Sequence, residues 1–218
     1  MSKYKALLFD MDGTIANTDK LVINSYLLLY EKIEPKERKT PEQLLYYSGP
    51  PSEVSLKKEY PDGNLEEISK FYREIEGKLY DTDVVNYPDC IETLKKLKSL
   101  GYKLACVTNK PRMMSYRTFN VLGMNDIFDV LVCAGDDDIK ECKPARDMVD
   151  VALNKLGVSN RNEAIYIGDN NIDFETAENA GVDCMLVTWG PRVIEKNPKI
   201  KYFVSSFKEM FEVFENGK

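Results

Sequence analysis

Apolar and polar positions alternate along this chain in two different rhythms. A short apolar run, Lys5-Ala6-Leu7-Leu8-Phe9, stops abruptly at Asp10-Met11-Asp12-Gly13-Thr14, which predicts a buried strand ending in a turn. The rhythm then becomes helical, with Val22, Tyr26, Leu29 and Ile33 forming one apolar stripe. Glu34 to Lys39 is charged and contains Pro35, so it reads as a connection. Pro41-Glu42-Gln43 opens a short helix that stops at Ser48-Gly49-Pro50-Pro51, and a second helix begins after Pro50. Pro61-Asp62-Gly63-Asn64 is a further break, after which Ile68, Phe71, Ile75 and Leu79 mark another amphipathic helix. Residues 15–84 thus read as all helical, with no strand.

From Val85 onward strands and helices alternate. Asp89 is placed to cap a helix carrying Ile91, Leu94 and Leu97, which Gly101 ends. The strand Lys103 to Val107 stops at Thr108-Asn109-Lys110-Pro111, and a helix leads on to Gly123. Val130 to Cys133 is the next strand. Lys143-Pro144 opens a helix with Val149, Ala152, Leu153 and Leu156 on one face. Ala164 to Ile167 is a strand ending in Gly168-Asp169, followed by a helix to Gly181. Cys184 to Thr188 and Tyr202 to Val204 are the last strands, and a helix from Ser206 closes the chain. This order predicts an α/β fold: a doubly wound parallel sheet of Rossmann-like character, interrupted after its first strand by a small all-helical domain. The α/β core takes 1–14 and 85–218, and the helical insert takes 15–84.

Composition narrows the chemistry. With 43% hydrophobic and 30% charged residues the chain is of the water-soluble globular kind. No apolar run is long enough to span a bilayer, and Met1-Ser2-Lys3-Tyr4 leads into a strand rather than a signal peptide, so a cytoplasmic address is expected. A net charge of -6 gives no general attraction for nucleic acid or anionic membrane. The five cysteines (Cys90, Cys106, Cys133, Cys142 and Cys184) are scattered, without a CxxC pair, and read as free thiols in a reducing compartment. There are no histidines. That total removes Ser-His-Asp and Cys-His nucleophile systems, HExxH metal sites and histidine phosphotransfer. Carboxylates, lysine, hydroxyls and a metal ion are what remain.

In a doubly wound sheet the carboxyl ends of the strands share the edge where ligands bind. Four strand or loop ends carry polar residues there: Asp10 with Asp12, Thr108 with Asn109, Lys143, and Asp169 with Asp173. Each has a plain explanation alone. Asp12-Gly13 could be a hairpin turn, but helical spacing follows it. A calcium loop needs glycine sixth and glutamate twelfth, whereas Gly13 is fourth counting from Asp10. Thr108 or Asn109 could cap the next helix, Lys143 could be a surface lysine, and Asp173 could be an N-cap. Their joint occurrence on one edge favours a site. Two neighbouring carboxylates repel each other unless a cation sits between them, and an oxygen-only pair suits Mg2+.

The order of these residues resembles that of the haloacid dehalogenase superfamily, over nearly the whole chain. Asp10-Met11-Asp12-Gly13-Thr14 is similar to its first motif, DxDGT; Thr108 matches the second, Lys143-Pro144 the third, and Gly168-Asp169 with Asp173 the fourth. The helical insert resembles the cap of the superfamily's first subclass. Asp12 separates the chain from the true dehalogenases, which lack this second acid. The texture is phosphoglycolate phosphatase-like, including Val107-Thr108-Asn109-Lys110 and Val187-Thr188-Trp189-Gly190, although Arg146 stands where relatives usually carry a second proline.

The resemblance implies a phosphatase acting on a small phosphorylated metabolite. Asp10 is then the nucleophile and forms an aspartyl phosphate, while Asp12 is the acid and base. Thr108, Asn109 and Lys143 hold the phosphate. Mg2+ is held by Asp10, the Asp12 carbonyl and Asp169, with Asp173 orienting Lys143 or a metal-bound water. The cap loop Ser48, Gly49 and Pro50 reaches the substrate by the same resemblance, or is only a helix-breaking turn. Lys20, Lys57, Lys58 and Arg73 are candidate cap cations. Inorganic pyrophosphate is an alternative substrate. A phosphomutase of the β-phosphoglucomutase kind generally carries a histidine early in its cap, which this chain lacks. A catalytically silent phospho-ligand binder would leave all the reactive positions filled without purpose.

Overall fold

A computed structural model describes residues 2–48, 52–192, 194 and 197–215. The elements in chain order are β1 (Ala6–Phe9), β2 (Ala16–Asn17), α1 (Asp19–Tyr30), α2 (Pro41–Leu44), α3 (Ser52–Glu59), α4 (Leu65–Asp83), β3 (Val85–Asn86), α5 (Cys90–Ser99), β4 (Lys103–Pro111), α6 (Arg112–Leu122), β5 (Val130–Ala134), α7 (Asp147–Leu156), β6 (Ala164–Gly168), α8 (Asn171–Ala180), β7 (Asp183–Val187), β8 (Tyr202–Val204) and α9 (Phe207–Glu215). They divide into two compact units, Met1–Ala16 with Asn86–Lys218, and Asn17–Val85.

The first unit is built on a six-stranded sheet in the order β5-β4-β1-β6-β7-β8, with every neighbouring pair parallel. Parallel pairing requires crossovers, and helices supply them, so the inner strands are covered on both faces and read as unbroken apolar runs. Ala6, Leu7, Leu8 and Phe9 are all fully buried for this reason. Side chains alternate between faces. Ala6 and Leu8 join Ala105, Val107, Val132 and Tyr166 against Met148, Val149 and Ala152 of α7 and Ala177 of α8. Phe9 packs edge-on against Phe128, which stacks on Phe119 of α6.

The sheet order places β1 between β4 and β6, so the loops that follow these three strands meet at one edge. This is the edge where ligands sit in such sheets.

The second unit is helical apart from single strand residues at its ends. α1 packs along α4, and Tyr26, Leu29, Tyr30, Leu44, Leu56, Tyr60, Ile68, Tyr72 and Ile75 form its core. Within it Glu59 is buried, yet fully partnered: Tyr30 Oη donates to it at 2.5 Å, Tyr47 Oη at 2.7 Å, and Lys39 Nζ lies at 2.6 Å. A buried carboxylate is tolerable only with such partners.

Several local expectations are corrected. Lys103 to Val107 does not end β4, which continues to Pro111. Pairing with β5 jumps from Thr108 to Pro111, so Asn109 and Lys110 bulge out of the ladder. Pro144 is not in a first helical turn: the Lys143–Pro144 peptide is cis and α7 begins at Asp147. Asp89 precedes α5 with φ 61° but its side chain makes no capping bond. Of the cysteines, Cys142 is exposed and the other four are buried; all are free. Among the described residues no helix is long and apolar enough to cross a membrane.

Candidate active site

The turn after β1 is pinned by its own backbone. Ile15 and Ala16 amides both bond the Met11 carbonyl, and the Gly13 amide bonds Ala16. Gly13 has φ +84°, and a Cβ there would overlap both the Asp169 carboxylate and the Arg192 guanidinium. Only glycine fits. The turn therefore presents Asp10 and Asp12 together at the sheet edge.

Lys143 is the hub. Its ammonium donates to Asp10 Oδ1 at 2.7 Å and to Asp173 Oδ1 at 2.8 Å, and lies 5.6 Å from the centre of the Tyr166 ring. All three charged groups are buried. Burial alone would push the lysine down; the two carboxylates outweigh it and hold the ammonium well above its usual range. Burial pushes the Asp10 carboxyl up to about 6; the Asp173 and Asp12 charges add to that, while Lys143 opposes it.

Asn109 explains how Lys143 is aimed. Its amide nitrogen donates to the Lys143 carbonyl at 3.1 Å, and its amide oxygen accepts from the Lys143 amide at 3.0 Å. The β4 bulge lets this side chain clamp the lysine's backbone. Thr108, one residue earlier, is buried, and its Oγ1 accepts from the Lys110 amide at 3.1 Å. Neither Thr108 nor Asn109 caps α6, whose N-cap position is Pro111.

Asp173 is held from both sides. Its Oδ2 accepts from the Asp169 and Asn170 amides at 3.0 and 3.2 Å, while Oδ1 takes Lys143. A Cβ on Gly168 would overlap this side chain, which accounts for the glycine in Gly168-Asp169. The N-cap of α8 is Asn170, with Asp173 returning the bond of a capping box.

Ligand atoms of Asp10, Asp169 and Asp173 lie within 4.8 Å of one another, all buried. These are oxygen donors, as a hard divalent cation requires. Asp173 already has both oxygens engaged. Asp169 differs: its buried Oδ2 makes no hydrogen bond, and the cation against it is Arg192, whose Nη1 forms an ion pair with it and lies 3.4 Å from the Asp12 carbonyl oxygen. The residues fit a divalent ion.

Asp10, Asp12, Thr108, Asn109, Lys143, Asp169 and Asp173 all lie in the first unit. Ser48 lies in the second, where its hydroxyl donates to Asp19 at 2.7 Å; Gly49 and Pro50 lie outside the described residues. Of the candidate cations there, Lys20 pairs with Asp83, Lys57 bonds the Pro61 carbonyl and Arg73 the Ser69 carbonyl.

Sequence reasoning missed two residues. Lys110 Nζ sits 2.6 Å from Asp12 Oδ1. Arg192 follows β7, on a loop fixed by Trp189, whose indole nitrogen donates to the Thr14 carbonyl at 3.1 Å and whose ring stacks on Phe207. Both lie at strand ends on the same edge, which was the signal available.

Residues 7–187 match the family model of haloacid dehalogenase-like hydrolases. Pyrophosphatase PpaX of Halalkalibacterium halodurans is 35% identical over 188 residues, covering 85% of this chain and 84% of the relative. A haloacid dehalogenase-like hydrolase of Streptococcus pneumoniae superimposes with a TM-score of 0.82 at 21% identity, covering 98% of this chain and 100% of the other. A candidate phosphoglycolate phosphatase of Lactobacillus delbrueckii subsp. bulgaricus has a TM-score of 0.76 at 26% identity, covering 98% of both chains.

Proposed function

The chain belongs to the haloacid dehalogenase-like hydrolases, and from that premise we propose that it is a Mg2+-dependent phosphatase of small phosphorylated compounds, inorganic pyrophosphate foremost. The observation that carries the reading is the meeting of Asp10, Lys143 and Asp173 beside Asp12 and Asp169 at one strand edge. The relative at 35% identity is a pyrophosphatase, which puts pyrophosphate ahead of 2-phosphoglycolate.

Asp10 attacks the phosphorus and breaks its bond to the leaving oxygen, giving an aspartyl phosphate on the Asp10 carboxylate. Asp12 delivers a proton to the leaving oxygen, then takes one from the water that releases phosphate and restores Asp10. The Thr108 hydroxyl and the Lys143 ammonium hold the transferring oxygens, where donors already in place stabilise charge as it develops. Asn109 serves this chemistry by fixing the Lys143 backbone. Asp173 keeps the Lys143 ammonium aimed at Asp10. Asp10, the Asp12 carbonyl and Asp169 would hold Mg2+, which when bound neutralises charge between anionic nucleophile and anionic substrate.

A panel of pyrophosphate, 2-phosphoglycolate, sugar phosphates and nucleoside monophosphates, assayed for phosphate release with Mg2+ and with EDTA, tests the reading. Metal-dependent release, fastest from pyrophosphate, is expected. Preference for 2-phosphoglycolate would move the substrate assignment, and no release from any compound would end the phosphatase reading for this chain.

A further inference from the structure

Two lysines stand on the two acids of the turn after β1, and the bulge in β4 places both. Asn109 clamps the backbone of Lys143, whose ammonium sits on Asp10. Lys110, the next residue, puts its own ammonium 2.6 Å from Asp12 Oδ1. Consecutive residues of an extended chain point to opposite sides, so one irregularity serves both acids. The Lys110 backbone is fixed there, since its amide donates to Thr108 Oγ1 at 3.1 Å. The two pairs differ in access. The Lys143 and Asp10 side chains keep 4% and 8% of their surface, whereas those of Lys110 and Asp12 keep 15% and 28%. The first pair is sealed; the second is open to the group that Asp12 protonates.

We propose that Lys110 is a specificity-determining cation for the leaving group, favouring substrates whose leaving oxygen belongs to a second phosphoryl group. The inference rests on the phosphatase reading above and deepens it. As an Asp10 oxygen bonds to phosphorus, the bond to the leaving oxygen breaks, its electron pair stays on that oxygen, and the Asp12 proton joins it. The Asp12 carboxyl must then lie within hydrogen-bond reach of the leaving oxygen. An ammonium against that carboxyl is within reach of the atoms next to the leaving oxygen. In a diphosphate those atoms are phosphoryl oxygens, which gain negative charge as the bond breaks; in an ester of a neutral alcohol they are carbon. An ammonium carries three N–H donors, so it can hold Asp12 and a phosphoryl oxygen together while keeping its own proton. Such a donor, already in place, acts most strongly where charge develops.

The test compares kcat/KM for pyrophosphate and for phenyl phosphate in the full-length wild type, Lys110→Met and Lys110→Gln, at equal free Mg2+. Both substrates draw on the Asp12 proton, but only pyrophosphate carries a charged group beside the leaving oxygen. Both variants are expected to lower the ratio of pyrophosphate to phenyl phosphate turnover about 10- to 100-fold, the loss of one charge-assisted hydrogen bond. Each ratio is read on a single preparation, so partial unfolding of a variant cancels from it, and Lys110→Gln decides if Lys110→Met does not fold. An unchanged ratio, including equal loss for both substrates, overturns the proposal and leaves Lys110 a counter-ion of Asp12, with the phosphatase reading intact. Release from neither substrate by the wild type removes that reading and the proposal with it.

Discussion

Lys143 is 8% exposed and bonds two buried carboxylates, so its removal does two separate things. On the proposed function, Lys143→Met takes a donor from the transferring phosphate, and it leaves Asp10 and Asp173 facing each other uncompensated. Phosphate release falls below detection, and urea unfolding shows a loss of about 3–5 kcal/mol, the cost of breaking a buried ion pair. Asn109→Ala separates positioning from charge. It touches no buried charge directly, so the melting temperature falls by only a few degrees, the cost of its two hydrogen bonds. The lysine backbone loses its clamp, and kcat falls about 10²-fold, the penalty of a misplacement near 1 Å. Loss of fold in Asn109→Ala, or unchanged kcat, contradicts the clamp.

At the level of elements, the start of β7 is a pH-sensitive tie. Asp183 accepts from Tyr4 Oη at 2.5 Å and Lys201 Nζ at 2.7 Å, and pairs with Lys3 at 2.6 Å, so it links the segments before β1 and β8. Partial burial pushes its carboxyl up, but the Lys201, Lys3 and Tyr4 bonds outweigh that and hold it at about 2, against an ordinary 3.8. A depressed carboxyl stabilises the folded state fully above 3.8, and that contribution disappears as pH falls from about 4 to 2. Acid unfolding of Asp183→Asn lacks this component: wild type and variant differ at pH 6 and converge near pH 2. In the helical unit, Glu59 depends on its hydroxyl donors. Tyr30→Phe removes the bond to Glu59 and costs about 1 kcal/mol in denaturant unfolding. No loss there would mean that water replaces the hydroxyl.

Across the whole molecule, what the sequence disclosed follows from how parallel sheets are built. Strands whose faces are both covered show as apolar runs, and their carboxyl ends must share an edge. Asp10, Thr108, Lys143, Asp169 and Asp173 could therefore be assigned to one edge from the order of strands, and the resemblance to a known motif order joined them into one site. The cations on Asp12 and Asp169 could not. Lys110 gets to Asp12 because β4 bulges between Thr108 and Pro111, a detail of pairing that no alternation of residues records. Arg192 gets to Asp169 because Trp189 folds its loop back, a tertiary contact between residues 175 positions apart. Pro144 is ambiguous in the sequence because a proline beside a helix looks the same whether it opens the helix or turns before it. The helical unit was legible in its stripes: Tyr26 and Leu29 of α1 and Ile68 and Ile75 of α4 are buried in its core. The buried role of Glu59 was not, since its three partners come from positions 30, 39 and 47.

The central claim is that Asp10 is the atom donor to phosphorus, and Asp10→Asn tests it with least disturbance of shape. Phosphate release from pyrophosphate in saturating Mg2+ is measured for wild type and variant, with circular dichroism showing that both are folded. The account predicts a loss of at least about 10³-fold, the scale on which covalent catalysis through one side chain is removed. Turnover by Asp10→Asn within a few-fold of wild type would contradict it, because water would then attack without the carboxylate.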